Sequence, residues 1–439
     1  MSNPVRIVTH YALARGLRRW RTRAQLEQWQ ERRIIRHVER IRARSPFYQK
    51  WWGGLNATEW RQFPQIDKTV MMQHFDTLNT VGITKEEALV LAGESEDTRN
   101  FKQSSIQGVT VGLSSGTSGN RGIFLVSNRE QDAWTGTVLA KLLPGGLWKP
   151  AKIAFFLRAN SNLYESVKRG KLQFQYFDLL EHVDVLVERM EEYQPTVWVA
   201  PPSMLRMLAD AYIMGRLTHV PDKIIAVAEV LDPLDRNVLE RVFGQTVHQV
   251  YQCTEGFLGA TCEHGTIHLN EDIVYIEKEY LDPATRRFVP VITDFSRTSQ
   301  PIIRYRLNDI LTEAAERCAC GSLFTAIERI EGRCDDTLYF SHKYEGEAVS
   351  VFPDFISRAV IAASPAIEHY RVVQRGSGIL EVSMQVSEDT DQERAQAAVL
   401  QELGKLAGRL QCVLPEVQFV PYTFEAGITK MRRVERRLD

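Results

Sequence analysis

The chain of 439 residues is predicted to be an α/β protein with a large N-terminal domain and a small α+β C-terminal lid domain. Its length exceeds what one hydrophobic core ordinarily serves, so at least two domains are expected. Between residues 110 and 243, apolar strand-like runs alternate with helix-like segments, which is typical of parallel strand pairing. Beyond residue 270, short β-like runs replace this alternation and indicate a mixed, barrel-like part of the same N-terminal domain.

The individual elements follow from hydrophobic periodicity and from start signals such as the proline at residue 202. Strands are expected at 109–113, 152–157, 196–200, 224–228 and 248–250, and helices at 128–142, 178–192, 202–214 and 233–243. Shorter β-like runs cover 272–279, 286–292 and 301–306. We place a domain boundary between Gly332 and Asp336, giving domains 1–334 and 335–439. The lid domain is expected to hold a strand at 378–384, a helix at 391–410 and a final strand near Val417.

The segment from residue 11 to residue 44 is rich in arginine, and its apolar residues recur at helical spacing. Two such sets are Leu13, Leu17 and Trp20, and Ile34, Val38 and Ile41. A pair of surface helices with solvated arginines explains this pattern. The alternative is a basic docking surface for an acidic partner, such as an acyl carrier protein.

Composition and charge exclude several classes of protein. Lys and Arg number 54 and Asp and Glu 55, a net charge of -1, so no global field recruits nucleic acid. No apolar run reaches the length of a membrane span, and the N-terminus lacks the apolar stretch of a secretory signal. Six cysteines are too few for a disulfide scaffold of this length. The expected location is therefore cytoplasmic.

Five short motifs could carry chemistry. The first combines glycines with hydroxyl side chains after a predicted strand, a composition that can wrap a phosphate chain. It comprises Ser114, Ser115, Gly116, Thr117, Ser118 and Gly119. No Gly-Lys-Ser/Thr follows, so it is not a Walker A loop, and an ordinary turn is the alternative.

The second and third motifs are Tyr251–Gly256 and Pro301–Asp309. In the second, an aromatic ring can stack on a base, Thr254 can donate to phosphate, and Glu255 can hold Mg²⁺. In the third, Asp309 can accept both hydroxyls of a ribose. A strand edge with a solvated glutamate and an Arg–Asp ion pair are the respective structural alternatives.

The fourth and fifth motifs lie at the domain boundary and near the C-terminus. Gly332–Asp336 is a short polar link that could absorb hinge dihedrals, although a surface turn explains it equally. Lys430 lies in a cationic segment, where a lysine is usually solvated. A mobile lid could instead deliver it to an α-phosphate.

Together these motifs resemble the adenylate-forming superfamily of acyl-CoA synthetases, luciferases and peptide-synthetase adenylation domains. They occur in the order of that superfamily, and the branch of phenylacetate–CoA ligase-like enzymes is the most similar. The early segments 44–48 and 63–68 resemble that branch as well, so the resemblance covers nearly the whole chain.

The resemblance implies a role for each matching residue. The loop from Ser114 to Gly119 would hold the β- and γ-phosphates of ATP, and Ala228, Glu229 and Tyr251 would contact the adenine. Thr254 would contact the α-phosphate, Glu255 would bind Mg²⁺, and Asp309 with Arg333 would bind the ribose. The hinge would lie at Asp335, and Lys430 would bridge carboxylate and α-phosphate. The implied reaction forms acyl-AMP from a carboxylic acid and ATP, then passes the acyl group to a thiol.

Two short clusters of soft ligands, 262–268 and 318–321, suit a tetrahedral structural Zn²⁺. Members of the resembled branch carry such a set, which favours Cys262, His268, Cys318 and Cys320 as ligands, with His264 as a substitute for His268. Reduced cysteines lying near one another are the alternative.

Departures from the branch leave the acceptor open. Leu307 replaces a threonine, and the loop after Asp336 differs from the family loop that faces the thiol tunnel. CoA, the phosphopantetheine of a carrier protein and a non-thiol acceptor such as an amine all remain, as does a non-catalytic nucleotide-binding homologue. Pocket positions of the family suggest an aryl or apolar acid and fall on Trp134, Tyr176, Phe257 and Ala260.

Overall fold

The computed structural model describes residues 3–17, 20–98, 104–113, 122–157, 171–344, 347–376, 378–387, 392–423 and 431–437. A mixed sheet of twelve strands forms the centre of this described part. A three-stranded sheet, a hairpin and a four-stranded C-terminal sheet accompany it. The predicted α/β class is confirmed.

The described α-helices are α1 (Pro4–Ala12), α2 (Arg23–Arg42), α3 (Pro46–Trp51), α4 (Lys68–Gln73), α5 (Phe75–Leu78), α6 (Lys85–Asp97), α7 (Asn128–Leu142), α8 (Val183–Tyr193), α9 (Pro202–Ile213), α10 (Pro233–Phe243), α11 (Pro353–Ala363) and α12 (Gln392–Arg409). The strands of the N-terminal half are β1 (Ser105–Ile106), β2 (Val109–Leu113), β3 (Ile123–Ser127), β4 (Ala151–Leu157), β5 (Leu172–Asp178), β6 (Val197–Ala200), β7 (Lys223–Ala226), β8 (Val247–Cys253), β9 (Gly256–Thr261) and β10 (Ile267–Leu269). The remaining strands are β11 (Val274–Asp282), β12 (Arg287–Asp294), β13 (Tyr305–Arg306), β14 (Asp309–Glu313), β15 (Ala326–Arg333), β16 (Leu338–Ser341), β17 (Ala348–Val351), β18 (Ile367–Arg375), β19 (Ile379–Val386), β20 (Glu416–Val420) and β21 (Val434–Arg437).

Five strands of the large sheet run parallel, in the order β5-β4-β6-β7-β8. Their continuous apolar runs suit strands covered on both faces; all four residues of β6 are buried. Helices α8, α9 and α10 pack on one face through Leu186, Leu205 and Leu239. Because parallel strands end at one edge, the segments after β6, β7 and β8 come together there.

The second half of the large sheet is antiparallel. Strand β8 turns at Thr254 and Glu255 into β9, and the sheet continues through β10, β15, β14, β12 and β11, with β13 beside β12. All eight residues of β12 are buried. Helix α2 covers this half through Ile34, Val38 and Ile41, which share a core with the sheet. The large sheet therefore changes from parallel to antiparallel pairing at β8.

The N-terminal segment differs in one respect from its predicted helical pattern. Helix α1 ends at Ala12, a single π-helical turn follows, and Gly16 within it adopts φ 145°, so the pattern from Leu13 to Trp20 is interrupted. The second predicted set, Ile34 to Ile41, is confirmed as the buried face of α2.

The C-terminal part, from Leu338 onward, has its own hydrophobic core. Helices α11 and α12 pack together beside the sheet β20-β19-β18-β21. The sequence predicted β19, α12 and β20, but not α11, β18, β21 or the β16–β17 hairpin. The domain boundary at residue 334 stays a prediction. Among the described helices, none combines the length and the apolarity that a membrane span requires.

A buried carboxylate ties α7 to the loop after β12. Glu130 is 5% exposed; it accepts hydrogen bonds from Ser127 N at 2.7 Å and from Ser299 N at 2.7 Å. Burial alone would raise the pKa of Glu130, but Arg297 and the backbone N–H donors hold it below its ordinary value. This glutamate closes a capping box at the start of α7.

We expect Glu130→Gln to lower the free energy of unfolding by about 2–4 kcal/mol, because an amide group would face backbone donors in a buried site. Urea titration followed by circular dichroism measures this. The matched control is Glu87→Gln, which alters an exposed capping box at Thr84 and should cost clearly less. Equal losses in the two variants would show that burial does not govern the contribution of Glu130.

Candidate functional site

A cavity of about 1500 Å³ opens at the carboxyl edge of the parallel strands. Residues of three of the five motifs line it, together with two residues that follow β7. They are Ala228, Glu229, Tyr251, Thr254, Glu255, Asp309, Arg333 and Asp335. The structure thus brings together, in one space, side chains that lie more than a hundred residues apart in the sequence.

Tyr251, Asp309 and Arg333 form one wall of this cavity. The Tyr251 hydroxyl donates to Asp309 Oδ2 at 2.8 Å. Asp309 begins β14 and lies opposite Arg333 in the register of β14 with β15. Burial raises the pKa of Tyr251, and the neighbouring Asp309 carboxylate adds to this, so the hydroxyl stays a donor. The predicted convergence of these three residues is observed.

The turn between β8 and β9 presents Thr254 and Glu255. Thr254 Oγ1 donates to Glu255 Oε2 at 2.9 Å, and the Tyr305 hydroxyl donates to Glu255 Oε1 at 2.9 Å. Arg297 Nη1 donates to the Thr254 carbonyl at 3.1 Å and so fixes the backbone of the turn. Each carboxylate oxygen of Glu255 keeps a lone pair beyond these bonds, which suits coordination of a hard cation.

Tyr305 was not among the predicted site residues. It is the central residue of the Arg304–Arg306 triplet, in a motif whose predicted ligand contact was Asp309. Burial and the Glu255 carboxylate raise the pKa of Tyr305, so it remains a protonated donor to Glu255. Arg304 serves the scaffold instead, since it forms a two-point ion pair with Glu277 at 2.9 and 2.8 Å.

Lys68 is a second cavity residue without a predicted role. Lys68 begins α4. Two residues earlier, the Ile66 N–H donates to the Arg304 carbonyl at 3.0 Å, which fixes this segment next to β13. Burial lowers the pKa of Lys68, although the carboxylates of Glu255 and Asp335 act to raise it. A cation at this place would attract an anionic ligand. The only signal in the sequence was its position in the segment 63–68, which resembles the ligase branch.

Ala228 and Glu229 follow β7. Ala228 adopts φ 67°, a left-handed conformation that is uncommon for a residue with a side chain and is often found at functional sites. The Glu229 carboxylate accepts from Ser203 N at 3.1 Å, Ser203 Oγ at 3.1 Å and Met431 N at 2.9 Å. Glu229 therefore joins the edge of the parallel sheet to the segment that follows Lys430.

The predicted hinge lies in a short 3₁₀ helix, Cys334–Asp336, after β15. Asp335 Oδ2 accepts from Asn308 Nδ2 at 2.5 Å. Asp336 is ion-paired with Arg432 at 3.0 Å, and burial raises the pKa of Asp336 to about 6 although Arg432 opposes this. Nothing in these contacts tests hinge motion, so the role of Asp335 stays a prediction.

Two predicted parts of the site lie outside the described residues. They are the glycine-rich loop, Ser114 to Gly119, and Lys430. Their flanking residues Leu113, Gly122 and Met431 all line the cavity.

Four of the predicted zinc ligands cluster at the far end of the antiparallel strands. The ligand atoms of Cys262, His268, Cys318 and Cys320 all lie within 4.8 Å of one another. Cys320 Sγ is 3.3 Å from His268 Nε2, and Cys262 Sγ is 3.7 Å from Cys318 Sγ. The second ring nitrogen of His268 lies 3.1 Å from the Phe324 carbonyl, which fixes the orientation of the ring.

His264, the alternative ligand, is not part of this cluster. It lies on the turn between β9 and β10, and its ring nitrogen is 3.9 Å from Glu263. The register of β10 instead directs His268 toward the loop that carries the Cys-x-Cys pair.

The suggested acid-pocket residues are only partly brought together. Trp134 and Phe257 line the cavity, and Trp134 Nε1 donates to Gln252 Oε1 at 3.3 Å. Tyr176 donates to the Leu157 carbonyl at 2.6 Å, and Ala260 is buried in β9; neither contributes to the cavity lining. The prediction for these two residues is therefore wrong, because the backbone of β4 holds the Tyr176 hydroxyl and Ala260 lies within β9.

No family model matches the chain. The phenylacetate-coenzyme A ligase of Thermus thermophilus is 28% identical over 245 residues, which cover 51% of this chain and 53% of that protein. The chain thus aligns with about half the length of this relative.

Solved structures match over a larger share of the chain. A 2-hydroxyisobutyryl-CoA ligase in the postadenylation state with 2-HIB-AMP has a TM-score of 0.71 at 19% identity, covering 95% of this chain and 90% of that one. The same ligase in the thioesterification state gives 0.56 at 18% identity, covering 98% and 92%. The amide bond synthetase McbA of Marinactinospora thermotolerans gives 0.51 at 15% identity, covering 72% and 66%. The resemblance to the adenylate-forming ligases is confirmed, and the chain has their fold.

Proposed function

We propose that this chain is an AMP-forming acid–thiol ligase of the adenylate-forming superfamily. It joins a carboxylic acid to ATP with release of pyrophosphate, and then passes the acyl group of the acyl-AMP to an acceptor with release of AMP. The observation that carries the proposal is the convergence of Tyr251, Glu255, Asp309 and Arg333 on one cavity at the edge where α/β sheets bind ligands. That cavity also receives the segments next to the glycine-rich loop and to Lys430.

In this proposal the nucleotide lies along the carboxyl edge of β7 and β8. The Tyr251 ring and the backbone around Ala228 contact the adenine, and Asp309 with Arg333 holds the ribose hydroxyls. Tyr251 already donates to one oxygen of Asp309, which orients the carboxylate toward the sugar. The loop from Ser114 to Gly119 holds the β- and γ-phosphates.

In the first half-reaction, a carboxylate oxygen of the acid bonds to the α-phosphorus, and the bond to the β-phosphate oxygen breaks. Both reactants are anions, so positive charge and alignment supply most of the rate. Mg²⁺, when bound, neutralises phosphate charge. Glu255 would hold it, with Tyr305 and Thr254 fixing the carboxylate, while Lys68 and Lys430 would supply further positive charge.

Pyrophosphate exchange into ATP tests the first half-reaction, with a panel of aryl and short acyl acids. We expect exchange with at least one apolar acid. Lys430→Ala should lower kcat by about 100-fold or more while the KM for ATP changes little, because its charge acts on the bond that breaks. Arg409→Ala, a change on α12 outside the cavity lining, is the control. Exchange that survives Lys430→Ala unchanged would refute the role of this lysine.

The acceptor is a thiol in this proposal, with CoA as the first candidate and the phosphopantetheine of an acyl carrier protein as the second. Both a CoA ligase and an amide bond synthetase share the fold, so the fold does not identify the acceptor. Leu307, which replaces a threonine of the related branch, is 4% exposed and packs in the core beside the sheet. Leu307 also lines the cavity, so the missing hydroxyl changes the wall next to Asp309.

Transfer from acyl-AMP distinguishes the acceptors. CoA, a holo carrier protein and a small primary amine are offered separately, and thioester or amide is detected by mass spectrometry. We expect thioester with CoA or carrier and little amide. Amide formation as the fastest product would replace the thiol with an amine acceptor. Exchange or transfer absent with every acid and acceptor would favour a non-catalytic nucleotide-binding protein.

We also propose that Cys262, His268, Cys318 and Cys320 hold one structural Zn²⁺. Three thiolates and an imidazole fill a tetrahedral shell and leave no open position, so the ion would act on stability rather than on catalysis. It would pin the turn after β9 to the loop before β15, the strand that ends at Arg333.

Elemental analysis of the purified protein should find about one zinc per chain. Cys320→Ser should lower the zinc content and the Tm, since metal binding contributes folding free energy. Cys412→Ser, a buried thiol of the C-terminal core, is the control and should keep the zinc. His264→Ala should keep it too, because His264 lies outside the cluster. Wild-type protein without zinc would overturn the proposal.

A further inference from the structure

A buried ion pair joins the C-terminal part of the chain to the large domain. Arg433 Nη2 lies 2.5 and 2.6 Å from the two carboxylate oxygens of Asp235, and Arg433 Nε lies 3.3 Å from Oδ2. The Arg433 side chain is 8% exposed and that of Asp235 is 3% exposed. Asp235 belongs to the first turn of α10, whereas Arg433 directly precedes β21.

Further contacts surround this pair on both sides. The Tyr370 hydroxyl of β18 donates to Asp232 Oδ2 at 2.7 Å, and Arg433 Nη1 donates to the Tyr370 carbonyl at 3.3 Å. Arg206 of α9 lies 3.4 Å from Asp235. Leu234 of α10 packs against the hydrophobic core of the C-terminal part. The carboxylates of Asp232 and Asp235 thus balance the charges of Arg206 and Arg433 where the C-terminal part meets the large domain.

The electrostatics favour keeping these groups together. Burial would lower the pKa of Arg433, but the carboxylates of Asp235 and Asp232 outweigh it and hold that pKa above its ordinary value. A charge buried without its partner is far less stable than a buried pair. The ion pair can therefore break only if the C-terminal part moves far enough from the large domain for water to reach both charges.

The same chain segment carries Lys430. Met431 N donates to Glu229 at 2.9 Å, Arg432 pairs with Asp336 at 3.0 Å, and Arg433 pairs with Asp235. Met431 and Arg432 are thus held at the cavity wall, and Arg433 is held on α10 next to them. Among the solved structures, this arrangement agrees better with the ligase in the postadenylation state (TM-score 0.71) than with the same ligase in the thioesterification state (0.56).

We propose that Arg433 and Asp235 form a latch that holds the C-terminal domain in the arrangement for acyl-AMP formation. The latch opens when the acyl group passes to the acceptor. Arg433 is a positioning residue: it touches no substrate and acts by fixing where Lys430 lies. This inference rests on the proposed function, because it assigns the latch to one of the two half-reactions.

The test separates the half-reactions in the full-length enzyme. Pyrophosphate exchange reports the first, and transfer from supplied acyl-AMP to the acceptor reports the second. We expect Arg433→Gln to lower the kcat of exchange by about tenfold or more, with the KM for ATP little changed, and to leave transfer equal or faster. Asp235→Asn should act the same way.

The matched control is Arg375→Gln, which breaks the Arg375–Glu381 pair at 2.7 Å inside the C-terminal sheet. We expect it to leave the ratio of the half-reactions unchanged. Equal losses of exchange and transfer in Arg433→Gln would overturn the latch.

A distance measurement keeps the latch distinct from the proposed function. Spin labels on α8 and α12, measured by pulsed electron paramagnetic resonance, report the distance between the large domain and the C-terminal part. We expect Arg433→Gln to broaden or lengthen the distance distribution, and Arg375→Gln to leave it unchanged. Wild-type enzyme without exchange for any acid would defeat the proposed function. An unchanged distribution in Arg433→Gln would defeat the latch, whatever the activity.

Discussion

The site depends on one strand that pairs in two ways. Strand β8 is the last parallel strand and the first antiparallel one, since it pairs parallel with β7 and antiparallel with β9. The turn that makes this change is Thr254–Glu255. The strand therefore places Tyr251 within reach of Asp309, which lies on the antiparallel side, while its parallel neighbour presents Ala228. A sheet with a single kind of pairing would leave these groups on different edges.

Buried polar groups keep the pieces around β8 in register. Arg297, 8% exposed, donates to the carbonyls of Thr254 and Leu125, and so ties the turn to the strand that follows the glycine-rich loop. Glu130 fixes the loop after β12, which carries Arg297, to α7. Each of these groups would be costly if left unpaired, so the arrangement has one low-energy solution. The geometry of the cavity is in this sense a consequence of hydrogen-bond satisfaction.

Local patterns in the sequence sufficed for much of the fold and part of the site. The apolar runs of β4, β6 and β7 and the capped helix α10 were predictable because their signals are local. The cysteine and histidine clusters were predictable because the short spacings within each cluster can be recognised in the sequence. Arg433 and Lys68 were not, since their roles depend on partners that only the fold supplies; Asp235 is 198 residues from Arg433. Likewise, Tyr176 was misplaced because its direction depends on β5, a strand that the sequence did not reveal.

The Glu229 carboxylate connects the cavity with the C-terminal segment. It accepts from Ser203 on the sheet side and from Met431 on the C-terminal side, and it lines the cavity. A ligand that competes for this carboxylate weakens the hold on Met431. By thermodynamic linkage, movement of that segment must then change the affinity for the ligand by the same factor. Occupancy of the cavity by such a ligand would thus be coupled to docking of the C-terminal segment through the Glu229 side chain.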